Sequence, residues 1–125
     1  MSHLTPGQRE SLQRQLGERS SVLRNEIASA LRRSDDPGAA ALANHLEEID
    51  DEAVADLETG IEIAEIERDM RELRRAKDAL RRLHSPEFGI CADCGAEIPF
   101  ARLSAEPTAT RCLACQTKAE RTRAG

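Results

Sequence analysis

Aromatic side chains are almost absent from this 125-residue chain, which has two Phe, no Tyr and no Trp. With Ala, Leu, Glu and Arg dominant and 33% of residues charged, the composition suits long helices or a coiled coil better than a compact globule. No run of about 18 apolar residues occurs, so no helix is expected to span a membrane. Met1 to Gly7 lacks the basic and apolar regions of a secretory signal, and the expected compartment is cytoplasmic. Histidine is sparse and scattered (His3, His45, His84), with no nucleophile–base pairing. These three read as polar surface positions, and the chain does not read as an enzyme. Lysine and arginine are missing from residues 34–67, which carry 12 acidic side chains, whereas the other 91 residues carry 18 basic and 11 acidic ones. Such a block is either a solvated face or, at a turn between helices, a focused negative tip. A negative tip favours a basic or metal-containing partner and disfavours DNA or RNA at that end.

Cysteine is confined to Cys91, Cys94, Cys112 and Cys115, two C-x-x-C pairs 17 residues apart. Each pair offers two thiolates on a tight turn, and two such turns can close a sulfur tetrahedron around one Zn²⁺. Gly95 suits the positive φ that such a knuckle commonly needs. Two disulfides or a redox pair are the alternatives. Neither a secretory segment nor a βαβ pattern favours them. Four protein ligands leave no open position, so the metal is expected to be structural and not to activate water. Between Pro86 and Arg111 the large apolar residues (Phe88, Ile90, Ile98, Phe100, Leu103) are too few for a self-sufficient core. Zinc binding should therefore be inseparable from folding of this module.

Upstream, the pattern is helical. Leu12, Leu16, Leu23, Ile27 and Leu31 recur at helical spacing between Thr5 and Arg33, with Val22 and Ala30 widening the stripe. Thr5 before Pro6 reads as an N-cap and a first-turn proline. Pro37 and Gly38 break this helix, and residues 39–48 suit a short helix. A second long helix is expected from Asp50 or Asp51, as cap, to about His84. Its seam is Val54, Leu57, Ile61, Ala64, Ile66, Met70, Leu73, Ala76, Leu80 and Leu83, and Gly60 is a weak point. Pairs such as Glu67–Arg71 and Asp78–Arg82 fit i,i+4 spacing. Two amphipathic helices joined by a turn bury their stripes most economically against each other. The expected fold is all-α: an antiparallel coiled-coil hairpin, a small four-cysteine zinc module at its base, and a final helix over 113–123 packed back on that base. The expected organisation is an N-terminal helix over 1–33, an acidic tip over 34–50, a second helix over 51–85 and the zinc module over 86–125.

The segments Phe88-Gly89-Ile90-Cys91-Ala92-Asp93-Cys94-Gly95, Ile98, Arg102-Leu103, Pro107-Thr108-Ala109 and Cys112-Leu113-Ala114-Cys115 resemble the DksA/TraR family of bacterial transcription regulators. The resemblance is strong over about 35 residues. It implies a protein that binds RNA polymerase and not DNA, enters the secondary channel with its coiled coil, brings its acidic tip toward the active-site region and alters promoter-complex lifetime, often with ppGpp. The family's tip motif, D-x-x-D-x-A, corresponds here to Glu48, Asp51 and Ala53, with glutamate in place of the first aspartate. The resemblance places the basic positions near ppGpp at Arg68 and Arg75, where guanidinium suits phosphate. A solvated arginine-rich face is the alternative for both. A zinc protein binding nucleic acid directly through Lys118, Arg121 and Arg123, and a C-x-x-C redox sensor, are the competing functional readings. A monomer is expected.

Overall fold

The computed structural model describes residues 3–46, 57 and 61–124. Among them are five helices: α1 (Pro6–Arg33), α2 (Pro37–Ala43), α3 (Ile61–Arg82), α4 (Phe100–Ala105) and α5 (Leu113–Ala124). The only pairing of extended backbone among these residues is an isolated antiparallel bridge between Ile90 and Glu97. The architecture is all-α, as the sequence leads one to expect.

α1 starts where Thr5 caps it. The Thr5 N–H donates to Gln8 Oε1 at 2.9 Å and the Gln8 N–H donates to Thr5 Oγ1 at 3.1 Å. This reciprocal capping box satisfies two otherwise free amides, and Pro6 at the first helical position has none to lose. α1 ends at Arg33, yet Asp36 and Pro37 do more than break it. The Asp36 carboxylate accepts from the Gly38 N–H at 2.8 Å, so the same residues cap and open α2. The short helix therefore runs Pro37–Ala43, two residues ahead of the expected start. Proline at the first position is preorganised for a helix.

Two compact units divide the chain, one made of Met1–Gly17 with Ala76–Gly125 and the other of Glu18–Arg75. In the Glu18–Arg75 unit, Leu23, Ile27, Ala30 and Leu31 of α1 are buried with Ile66, Met70 and Leu73 of α3, Ala39 and Ala43 of α2, and Leu57. Burying each large aliphatic side chain contributes about 1.5–3 kcal/mol relative to exposure. The direction is antiparallel: early in the unit, Arg19 of α1 meets Glu72 of α3 through two hydrogen bonds of 2.7 and 3.0 Å. In the other unit, Leu12 and Leu16 of α1 share a core with Ala76, Ala79 and Leu83, and with Phe88, Ile98 and Leu103 of the cysteine module. The module's shortage of apolar residues is thus made up by α1 and by the C-terminal end of α3. Arg9 donates to the Leu83 carbonyl, and Gln15 Nε2 donates to the Ser104 carbonyl at 2.8 Å.

Several expectations need correction. Val22 is 44% exposed and does not widen the α1 stripe; Leu23 occupies the buried direction, and one residue further round a helix turns about 100°. Ala64 is exposed, whereas Ala79 is fully buried and was not in the expected seam. Leu57 is buried but lies outside any helix, so the expected helix is interrupted there and its described part runs Ile61–Arg82. Asp78 and Arg82 pair at 2.8 Å, whereas among the described residues no ion pair joins Glu67 and Arg71. α5 forms as expected, but no side chain described within it is buried and Leu113 is 66% exposed. It meets the base through Cys115, which is half-buried against the core of that unit. The proposed caps Asp50 and Asp51, and the tip residues Glu48, Asp51 and Ala53, lie outside the described residues.

Candidate metal centre

The first cysteine pair sits on a turn built from backbone hydrogen bonds. The Gly95 N–H donates to the Cys91 carbonyl at 3.0 Å, the Cys91 N–H to the Ala96 carbonyl at 2.7 Å and the Ile98 N–H to the Gly89 carbonyl at 2.7 Å. Gly95 closes the turn at φ 76°, the positive value its position in the sequence suggests. Gly89 is also at positive φ, 85°. There a Cβ would stand 3.0 Å from His3 Cε1 and 3.3 Å from Leu4 Cδ1, whereas at Gly95 it would meet nothing within 4 Å. Gly89 is therefore required by both conformation and close approach.

The second pair opens α5. Cys112 lies just before the helix, its Sγ 3.5 Å from the Cys115 N–H, and the Gln116 N–H donates to its carbonyl at 2.9 Å. Amides at a helix N-terminus favour thiolate over thiol. Two contacts tie this turn to the first. The Ala92 N–H donates to the Thr110 carbonyl at 2.8 Å, and Arg111 Nε donates to Asp93 Oδ2 at 2.8 Å.

The four sulfur atoms all lie within 4.8 Å of one another. Cys94 and Cys112 Sγ are 3.8 Å apart, far beyond a disulfide bond of about 2.05 Å. A tetrahedron with Zn–S bonds of about 2.3 Å has edges of about 3.8 Å. The electrostatics agree with a cation site. The Cys112 backbone amide lowers the Cys91 thiol to about 6 against the desolvation of this buried residue, helped by the backbone amides of Cys94 and Asp93. Its neighbours respond in the opposite sense. At Cys94 the Ala96 amide pulls downward, but the Cys91 and Cys112 thiols outweigh it and the net shift is upward. Cys115 is pushed up to about 12, first by Cys112 and then by Cys94 and Cys91. Sulfur atoms this close cannot all ionise against their mutual repulsion unless a cation sits among them.

Residues 86–121 match the family described as the prokaryotic dksA/traR C4-type zinc finger. The chain is DksA-like. Its four cysteines hold one structural Zn²⁺. The RNA polymerase-binding transcription factor DksA of Escherichia coli K12 is 34% identical over 70 residues, covering 56% of this chain and 46% of that protein. The protein of that name from Haemophilus influenzae is 36% identical over 70 residues, covering 56% of this chain and 48% of that protein. The aligned part thus spans about half the length of these curated relatives. The structure of transcription factor DksA2 from Pseudomonas aeruginosa superposes with a TM-score of 0.63, covering 98% of this chain and 91% of that one at 24% identity. This likeness establishes a shared fold.

The other candidate residues of this DksA-like chain are placed as follows. Arg68 and Arg75 are both exposed on α3, about two turns apart. Arg68 lies 3.7 Å from Asp69 and lines an open groove of about 430 Å³ with Arg33, Glu26 and Glu65. His3 is the residue the sequence reading missed. It is not a surface group: its Nε2 is 2.7 Å from the Ile98 carbonyl and its Nδ1 is 3.1 Å from a Glu97 carboxylate oxygen. With Leu4, which is buried, it seals the Gly89 turn of the finger.

Proposed function

We propose that this chain binds RNA polymerase and modulates transcription initiation. The observation that carries this reading is the conjunction of a dksA/traR C4-type finger with a DksA2-like fold over 98% of the chain. The names of the relatives, RNA polymerase-binding transcription factors, support it. In this reading the helical hairpin enters the secondary channel, and Glu48, Asp51 and Ala53 approach the catalytic centre. Carboxylates delivered there act on a bound Mg²⁺, for which hard oxygen ligands are suited, or on the basic loops around it. The zinc finger stays outside and supplies docking surface. Arg68 and Arg75 contribute to a ppGpp site, because guanidinium bonds phosphate bidentately. The partner is polymerase and not specific DNA, since 12 acidic residues without a lysine or arginine occupy residues 34–67. The protein acts as a cytoplasmic monomer and catalyses no reaction of its own.

The test is transcription in vitro with purified polymerase. Asp51→Asn removes tip charge without touching the buried seam, so polymerase should still be retained in a native pull-down while the effect on initiation falls. Full activity of Asp51→Asn would refute the tip assignment. Failure of the wild-type chain to retain polymerase would refute the function.

A further inference from the structure

The zinc ligands arrive as two pairs, and nothing in the covalent chain fixes the distance between them, because 17 residues separate the pairs. Each turn is locally rigid. Whether four sulfurs stay at bonding distance from one ion therefore depends on contacts between the turns. One backbone hydrogen bond, Ala92 N–H to the Thr110 carbonyl, joins them at 2.8 Å. One side-chain contact, Arg111 Nε to Asp93 Oδ2, joins them at the same distance.

We propose that Asp93 and Arg111 form a clasp that holds the two cysteine turns together and sets how fast zinc is released. Their placement is the argument. Asp93 lies between Cys91 and Cys94, and Arg111 immediately precedes Cys112, so the ion pair runs from inside one ligand turn to the edge of the other. Arg111 is itself anchored: its carbonyl accepts from Arg102 Nε at 3.0 Å. Arg102 is largely buried and lies 3.6 Å from Glu106, across one turn at the end of α4. A chain of contacts thus runs from α4 through Arg102 and Arg111 to Asp93. The guanidinium also brings positive charge to the neighbourhood of a Zn(Cys)₄ centre, whose four thiolates leave it with two net negative charges. Both residues are positioning residues: they touch no metal, and they act through the turns that carry the ligands. Groups beyond the direct ligands commonly change metal affinity 10–100-fold. Here the pair is partly exposed, at 35% and 46% of side-chain surface, and solvent weakens it. The expected effect is therefore smaller, an acceleration of zinc release of about three- to tenfold.

The test uses the zinc-loaded full-length chain and follows transfer of zinc to excess 4-(2-pyridylazo)resorcinol by absorbance. Asp93→Asn and Arg111→Gln should each release zinc faster, and the double variant should release it no faster than the quicker single variant, because both singles break one contact. Arg111→Lys, which keeps the charge, should fall between wild type and Arg111→Gln. Arg19→Gln breaks an ion pair of the other unit and should leave the rate at the wild-type value. Single variants within measurement error of wild type would overturn the proposal. So would a double variant whose acceleration is the product of the two singles, or equal acceleration by Arg19→Gln, either of which would mark a general loss of stability. Circular dichroism of the zinc-loaded variants, unchanged from wild type, separates altered release from failure to fold.

Discussion

Replacing Gly89 by alanine, with Gly95→Ala as the internal control, separates backbone conformation from close packing at the finger. Both glycines have positive φ, 85° and 76°. Alanine in the left-handed region costs about 1–2 kcal/mol, and at Gly95 that is the whole penalty, since a Cβ there meets nothing within 4 Å. At Gly89 the new methyl group meets His3 Cε1 at 3.0 Å and Leu4 Cδ1 at 3.3 Å. The N-terminal residues must then shift, and the additional cost is bounded by what they contribute. That is one hydrogen bond, about 0.5–1.5 kcal/mol, and the burial of one leucine, about 1.5–3 kcal/mol. Gly89→Ala should therefore cost about 3–6.5 kcal/mol in total if the N-terminal residues are fully displaced. Partial displacement gives a value between this and the control. The assay is urea unfolding of zinc-loaded protein followed by circular dichroism. Adding His3→Ala to each glycine variant should cost less on the Gly89→Ala background than on the Gly95→Ala background, because the His3 contact is already lost. Equal destabilisation by Gly89→Ala and Gly95→Ala would refute the packing argument.

Cys112→Ser removes one of four sulfurs, and the purified variant should lose its stoichiometric zinc together with folding of the finger, measured by elemental analysis and circular dichroism. The hydrogen bonds from Arg19 hold the Glu72 carboxyl below its ordinary range, against a smaller opposing effect of burial. A carboxyl lowered by folding adds stability above its unfolded pKa, about 4.3, and loses it as pH falls through the lower folded value. Glu72→Gln should thus be less stable than wild type by up to about 1 kcal/mol at pH 7, with the difference vanishing in acid. Comparing the two proteins at each pH cancels the zinc loss they share. Ser20 is buried, and its hydroxyl has no hydrogen-bond partner among the described residues. Ser20→Ala should raise the urea midpoint by about 1 kcal/mol equivalent, because it removes a desolvated group with nothing to satisfy it.

Spacing made the metal centre legible, because two C-x-x-C turns carry their geometry in four residues each. Local chemistry made the start of α1 legible, because Thr5, Pro6 and Gln8 close the cap among themselves. The apolar period gave most of both seams. What escaped depends on distant partners. His3 reads as a polar surface group until the fold brings it to the Ile98 carbonyl, 95 positions away. Gly89 stands beside a cysteine in the sequence, but its neighbours His3 and Leu4 come from the other end of the chain. The Asp93–Arg111 pair has a signal, opposite charges flanking ligands of the two turns, but only the fold sets their separation. One misreading had a local signal: Asp36 before Pro37 is a cap and first position as much as a break.

Competition for purified core RNA polymerase against a labelled factor known to occupy the secondary channel tests the functional account most directly. The zinc-loaded chain should displace the label in a concentration-dependent manner, and Asp51→Asn should displace it nearly as well, since the proposed function assigns binding to the hairpin and the finger and the effect to the tip. Undiminished label at saturating zinc-loaded chain would contradict the account.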